Sequence, residues 1–297
     1  MSRREFYHWR EPRRHVSVGE SRVSLPFFYH DNDVFISVHT ASLEAVTAEL
    51  PAEAICPVRW VDGRAMVAVT AFRYHAVTWT GGDGSTGSLV PYGEISVAAV
   101  VSVGESARAL PLLRREQPGF VLHLPVTTAQ ARDGGRELWG FPKFVADMDF
   151  TEDPTFRRVE LSEGGVPVLR LTERPAGPVL PDRRSMVAYS VLDGQLLETT
   201  VPVLGHVQAR FGSGGGELEL GRHQVADRLR ALDLSPKPVA VFSYLSHRSI
   251  LPAGRPIGTA RPYAGYRGVD APLGRFTVSY PGTPPLDQYA AVPVLQQ

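Results

Sequence analysis

The sequence predicts a mostly β, α+β fold with a few short helices. Three features of the 297-residue chain point there: stretches rich in Val, Phe and Tyr recur along it, turns of Gly, Pro and Asp separate them, and only two segments carry helical apolar spacing. No internal repeat or low-complexity linker divides the chain, and its length permits a sizeable core. Residues 1–20 read as an N-terminal arm and residues 21–297 as a single domain.

In order, the arm interleaves Arg3, Arg4, Arg10, Arg13 and Arg14 with Phe6, Tyr7 and Trp9. No apolar h-region follows, so it is not a signal peptide. One short arm without a recognised module is weak evidence for RNA stacking, and it is expected to pack on the body or on a neighbouring subunit. Val34–His39 and Met66–Thr78 read as strands. Between them Ser42 caps a short helix with Leu43, Val46 and Leu50 on one face, stopped by Pro51. Period-two spacing puts Thr70, Phe72 and Tyr74 on one side of the second strand and Val69, Ala71 and Arg73 on the other. Gly81–Gly87 reads as a loop; without a following Gly-Lys-Ser/Thr it is no phosphate cradle.

Glu94 opens the strand Ile95–Val103. Gly119–Thr127 is a strand expected to pass through a turn at Arg132–Gly135 into the segment around Lys143. Phe144–Phe150 alternates, with Asp147 and Asp149 opposite Met148; with no further ligands nearby, this reads as an exposed strand face rather than a metal site. Val159–Leu161, Val166–Leu171, Met186–Val191 and Gln195–Val203 continue as short strands, and Gly212–Gly216 is a turn. Val225, Leu229 and Leu232 mark a second helix over His223–Leu232. Lys237 sits in a turn between two prolines, Val239–Leu245 is a strand, and the tail from Leu251 is rich in Pro, Gly and Tyr.

Formal net charge is zero, without the basic excess of a general nucleic-acid or membrane-surface binder. The single cysteine, Cys56, excludes an internal disulfide framework, reads as a small buried hydrophobe and fits a reducing cytoplasm. No apolar run reaches the roughly 18 to 20 residues of a membrane helix. His-x-His, His-Glu-x-x-His, Cys-x-x-Cys and Gly-x-Ser-x-Gly are all missing, which speaks against zinc and against a serine hydrolase.

One segment stands out chemically. Lys143 and Lys237 are the only lysines; every other basic residue in the Lys plus Arg total of 31 is arginine. Arginine stays protonated, whereas a lysine can be made neutral and nucleophilic by burial or a nearby cation. Trp139, Phe141 and Phe144 surround Lys143 with aromatic carbon, and Pro142 fixes the backbone before it. Lowering an amine from about 10.4 to about 7 costs roughly 4 to 5 kcal/mol, within reach of burial. The same residues also fit a lysine whose stem packs on aromatics while its head reaches water.

Gly135-Arg136-Glu137-Leu138-Trp139-Gly140-Phe141-Pro142-Lys143 resembles the active-site segment of the acetoacetate decarboxylase family, where the lysine after the proline forms a Schiff base. Tyr92-Gly93-Glu94 is similar to that family's Tyr-x-Glu, whose glutamate lines the pocket. The resemblance implies a cone-shaped β-barrel with the lysine in a closed apolar cavity, a homo-oligomer, and no cofactor beyond the covalent imine. It gives Lys143 and Glu94 catalytic roles, with Thr70, Phe72, Tyr74, Trp139, Phe141, Phe144 and Asn32 as the substrate-binding set. Arg136 and Glu137 are expected to fix the loop, and Arg22, Arg59 and Arg73 are candidates to hold a substrate carboxylate.

Departures from the family pattern narrow the chemistry. Phe144 replaces a second lysine, Asn32 an arginine and Thr70 a pocket glutamate. These changes favour a small 2-oxo acid such as pyruvate, with aldol, dehydration or cyclisation chemistry, over decarboxylation of acetoacetate. The alternatives are a true 3-oxo acid decarboxylase and a non-catalytic ligand-binding barrel.

Overall fold

Alternation of apolar side chains over long stretches builds two extended strands that carry the site, and the other elements pack around them. A computed structural model describes residues 3–9, 13–18, 21–81, 84–104 and 116–269. The first half holds α1 (Arg3–Phe6), β1 (Arg14–Val18), β2 (Ser21–Ala41), α2 (Leu43–Glu49), β3 (Ile55–Pro57), β4 (Ala65–Gly81), β5 (Thr86–Leu89), β6 (Tyr92–Val103) and β7 (Glu116–Val126). Then follow α3 (Ala129–Trp139), β8 (Lys143–Val145), β9 (Asp147–Asp153), β10 (Phe156–Glu163), β11 (Val166–Glu173), β12 (Val179–Asp182), β13 (Ser185–Leu192) and β14 (Gln195–Val201). Last come β15 (Val203–Phe211), β16 (Gly216–Leu220), α4 (Gln224–Ala231), β17 (Ala240–Leu251) and β18 (Arg255–Thr259).

The main sheet runs β12-β15-β17-β2-β4-β6-β7-β13-β14-β18, with β1 on β2, β3 on β6, β5 on β4 and β8 on β7. Its ladders are antiparallel except β7 with β13 and β7 with β8, which are parallel. A second sheet, β16-β11-β10-β9, packs beside it. The predicted β-rich α+β class is correct. Among the described residues the path of strand pairing is open, from β12 to β18, so the hydrogen bonding does not close a barrel.

Period two sorts the side chains of β4 as expected. Val67, Val69 and Ala71 enter a core shared with β9–β11, α2 and α4, whereas Phe72 and Tyr74 enter a second core with Tyr29, Ile36, Val38, Val100 and Phe242. Ser42 caps α2 by accepting from the Ala45 amide, and His223 caps α4 by accepting from the Val225 amide. The arm packs on the body: Phe6 and Tyr7 are buried against Phe28 and Ile250, and the Tyr7 hydroxyl donates to the Tyr29 carbonyl at 2.6 Å. Its β1 joins the main sheet. Arg10 and the side chains of Arg3 and Arg4 lie outside the described residues, as does the tail after residue 269.

Several expectations are corrected. The turn at Arg132–Gly135 is the middle of α3, because Thr128 accepts from the Ala131 amide to start a helix and Gly140, at φ 65°, ends it. A strand, β5, begins inside the loop read at Gly81–Gly87, and residues 82 and 83 of that loop are not described. Gly87 is needed there, since a Cβ would lie 2.4 Å from the Trp79 ring. Pro202 divides the stretch read as one strand over Gln195–Val203, and Gly216 starts β16 rather than closing a turn. Cys56 is half-buried, its thiol donating to the Gly104 carbonyl. Asp147 and Asp149 are exposed, as predicted.

Candidate active site

Lys143 owes its position to the helix before it and the strand beside it. After Gly140 reverses the chain, the Phe141 amide donates to the Gly135 carbonyl at 3.2 Å, and β8 then runs parallel to β7 with Lys143 opposite Leu124. A Cβ on Gly140 would sit 2.0 Å from the Val191 carbonyl oxygen, so the turn needs glycine for space as well as for its positive φ. The Arg136 guanidinium grips the Lys143 carbonyl through both Nε and Nη2, and Nη2 also reaches the Arg267 carbonyl at 2.9 Å. The expectation that Arg136 fixes the loop is correct. Burial, with Arg267 and Arg132 nearby, pulls its guanidinium down to about 10, leaving it cationic at neutral pH.

The lysine side chain runs across Gly135, where an added Cβ would stand 2.5 Å from Lys143 Cε. Nζ ends 2.5 Å from Glu94 Oε2 and 5.9 Å from the centre of the Phe141 ring. Both charged side chains are buried, at 7% and 10% exposure. The other Glu94 oxygen accepts from the Tyr74 hydroxyl at 3.0 Å. Tyr74 packs at 4.7 Å between centroids on both Tyr29 and Tyr92, whose hydroxyls lie 3.2 Å apart. Burial first, and the Glu94 charge after it, hold the Tyr29 and Tyr74 hydroxyls well above their usual range; burial, then Tyr29 and Glu94, do the same for Tyr92. All three therefore remain protonated, and Tyr74 is a fixed donor to the carboxylate.

This pair lines an apolar cavity of about 170 Å³, and Lys143 also lines a smaller one of about 50 Å³. Of the predicted site residues, Lys143, Glu94, Thr70, Phe72, Tyr74 and Phe141 line the larger cavity. Trp139 lines only the smaller one, where its ring stacks on Phe141 at 6.0 Å and its indole N–H donates to the Pro252 carbonyl. Phe144 does not reach the lysine's cavity. As the next residue in β8 it points to the opposite sheet face, onto Tyr266 at 4.9 Å. Asn32 does not line the cavity either: its amide meets His247 Nδ1 at 3.0 Å in a buried pair.

Two of the three candidate carboxylate-binding arginines lie away from the cavity. Arg73 faces outward to Asp33 and Glu152, Arg59 is not among the lining residues, and the Arg22 side chain lies outside the described residues. Sequence reasoning missed Tyr29 and Ser96. The signal for Tyr29 was the alternation of Phe27 and Tyr29 ahead of the predicted strand, interrupted by the polar Asp31-Asn32-Asp33. Among the described residues no three His, Cys, Asp or Glu side chains gather to hold a metal, and no helix is long and apolar enough to cross a membrane.

Fold and site together define a β-rich protein with a lysine–carboxylate pair buried at one end of an apolar cavity. The model of the acetoacetate decarboxylase (ADC) family matches residues 12–255, and the chain belongs to that family. Acetoacetate decarboxylase from Legionella pneumophila subsp. pneumophila str. Philadelphia 1 superposes with a TM-score of 0.60 at 18% identity, covering 86% of this chain and 94% of that one. The enduracididine biosynthesis enzyme MppR, complexed with the condensation product of pyruvate and imidazole 4-carboxaldehyde, gives 0.53 at 13% identity over 78% and 89% of the two chains. An acetoacetate decarboxylase-like enzyme from Sphingomonas wittichii RW1 gives 0.52 at 16% over 78% and 92%. No curated protein matches the sequence.

Proposed function

We propose that this protein is a Schiff-base-forming lyase that joins a 2-oxo acid to an aldehyde and then removes water, through an imine on Lys143. The observation that carries this reading is the 2.5 Å contact of Lys143 Nζ with the Glu94 carboxylate at the edge of an apolar cavity. Glu94 takes a proton from the amine, and the freed lone pair adds to the carbonyl carbon. The same carboxylate returns the proton to the carbinolamine oxygen, water leaves, and the protonated imine remains. Loss of a proton from the neighbouring carbon gives an enamine, whose carbon forms the new bond to the aldehyde. Elimination of the resulting hydroxyl and hydrolysis of the imine release product and restore the amine. Tyr74 orients Glu94 throughout, and the apolar walls keep bulk water from the enamine.

Two things favour condensation over decarboxylation. Asn32, Thr70 and Phe144 stand where the resemblance leads one to expect charged side chains, and MppR, of the same fold, holds a pyruvate condensation product. The test is intact mass after incubation with pyruvate or acetoacetate and sodium borohydride. A reduced-imine adduct absent from Lys143→Ala is expected. Fast release of carbon dioxide from acetoacetate, abolished by the same substitution, would reassign the protein as a decarboxylase, and failure of a broad oxo-acid panel to leave any adduct would make it a binding protein.

A further inference from the structure

The cavity in front of Lys143 is larger and more graded than a three-carbon oxo acid requires, and this inference rests on the imine reading above. At about 170 Å³ it has the volume of about six waters at roughly 30 Å³ each, more than the six heavy atoms of pyruvate need, since covalently joined atoms occupy less space than separate waters. Its walls change character along the strands. Phe72 pairs with Glu94 in the row nearest the lysine, Ile36, Thr70 and Ser96 form the next, and Val38, Ala68 and Ala98 the one after. Polarity thus falls with distance: carboxylate and amine, then two hydroxyls, then hydrocarbon alone.

The far rows are also where side chains shrink. Ala68 lies opposite Ala98, Val100 opposite Gly119, and Gly119 opposite Ala188, so small residues from four adjacent strands lie close together and all line the cavity. A Cβ on Gly119 would come 3.1 Å from that of Ala98, which shows how closely the two face each other. Ala98 is four residues from Glu94, about 13 Å along an extended strand. We infer that the substrate is a 2-oxo acid bearing an unbranched apolar chain of several methylenes, which lies along this trough with its end over Ala68, Ala98, Gly119 and Ala188.

Two measurements test this. In the first, equimolar pyruvate and 2-oxooctanoate compete for the protein before borohydride reduction, and intact mass reports the two adducts. The expected result is at least tenfold more of the long adduct, with Ala98→Phe or, independently, Ala188→Leu lowering that ratio at least tenfold. A wild-type preference for pyruvate, or a ratio unmoved by either folded variant, overturns the inference. In the second, butyrate, hexanoate and octanoate, which cannot form an imine, are titrated calorimetrically. Affinity should rise roughly three- to fourfold per methylene buried. If no oxo acid leaves an adduct but this rise is seen, the catalytic reading fails and the trough stands; no dependence on chain length overturns the trough whatever the adducts show.

Discussion

A buried amine and a buried carboxylate at 2.5 Å have no role as a surface ion pair; what the contact provides is a short path for one proton. Glu94→Gln keeps the shape but turns one of the two accepting oxygens into an NH2 donor and removes the base. Turnover should fall about 10²- to 10⁴-fold while 2-oxo acid binding, followed by calorimetry, changes far less; equal loss of both would show that Glu94 only holds the lysine in place. At this scale the two residues were singled out by different signals. Lys143 stood out because it is one of two lysines and sits among aromatic residues, whereas Glu94 was picked out only through the Tyr-x-Glu resemblance; the structure brings the two side chains into contact. Orientation was legible only where period-two alternation could be counted from an anchor: it placed Thr70, Phe72 and Tyr74 in the cavity. The same rule, applied to Lys143 and its neighbour, would have turned Phe144 away. Aromatic composition had suggested a cluster on all sides of the amine.

Among the elements, α3 matters most and was least legible. Gly134 and Gly135 in the run Arg132–Gly135 read as a turn, since glycine costs about 1 kcal/mol in a helix interior. Glycine at 135 serves the lysine that crosses over it, a contact between residues eight apart that local propensity does not encode. Gly135→Ala is therefore expected to leave helicity by circular dichroism intact or slightly raised while abolishing the reduced-imine adduct. An adduct formed at the wild-type rate would mean the lysine can pass an added methyl without loss of geometry. Helices α2 and α4, by contrast, were legible, because their caps and apolar stripes are local features. β5 and β16 were missed because glycines at their starts, required for close approach to Trp79 and to the Thr172 carbonyl, look like turn residues.

For the molecule as a whole, the buried titratable groups set a pH range. Burial lowers His39 to about 4 and, as the leading cause, His123 and His247 to about 3. In the unfolded chain these rings take up protons near 6.5, so the folded state loses stability as pH falls below that value and continues to lose it down to about 3 to 4. Glu173 acts in the opposite sense. Burial raises it to about 7, so the folded protein holds a proton that the unfolded chain has released above about 4.3, and stability declines as pH rises through that interval. With three groups against one, the urea midpoint should climb from pH 4 to about 6.5. Glu173→Gln should raise the midpoint at pH 8 and leave it nearly unchanged at pH 4. A flat profile for the wild type would mean that these histidines are hydrated in solution.

The grip of Arg136 on two carbonyls also redraws where the working unit ends. The family pattern stops at residue 255, yet Arg136 spans the Lys143 carbonyl and that of Arg267, Tyr263 donates to the Leu122 carbonyl at 3.1 Å, and Tyr266 covers the back of Phe144. A chain cut at the pattern's edge would keep Lys143 and Glu94 but lose the buttress behind them. The smallest piece that could carry this site intact is therefore longer than the signature by which the family is recognised.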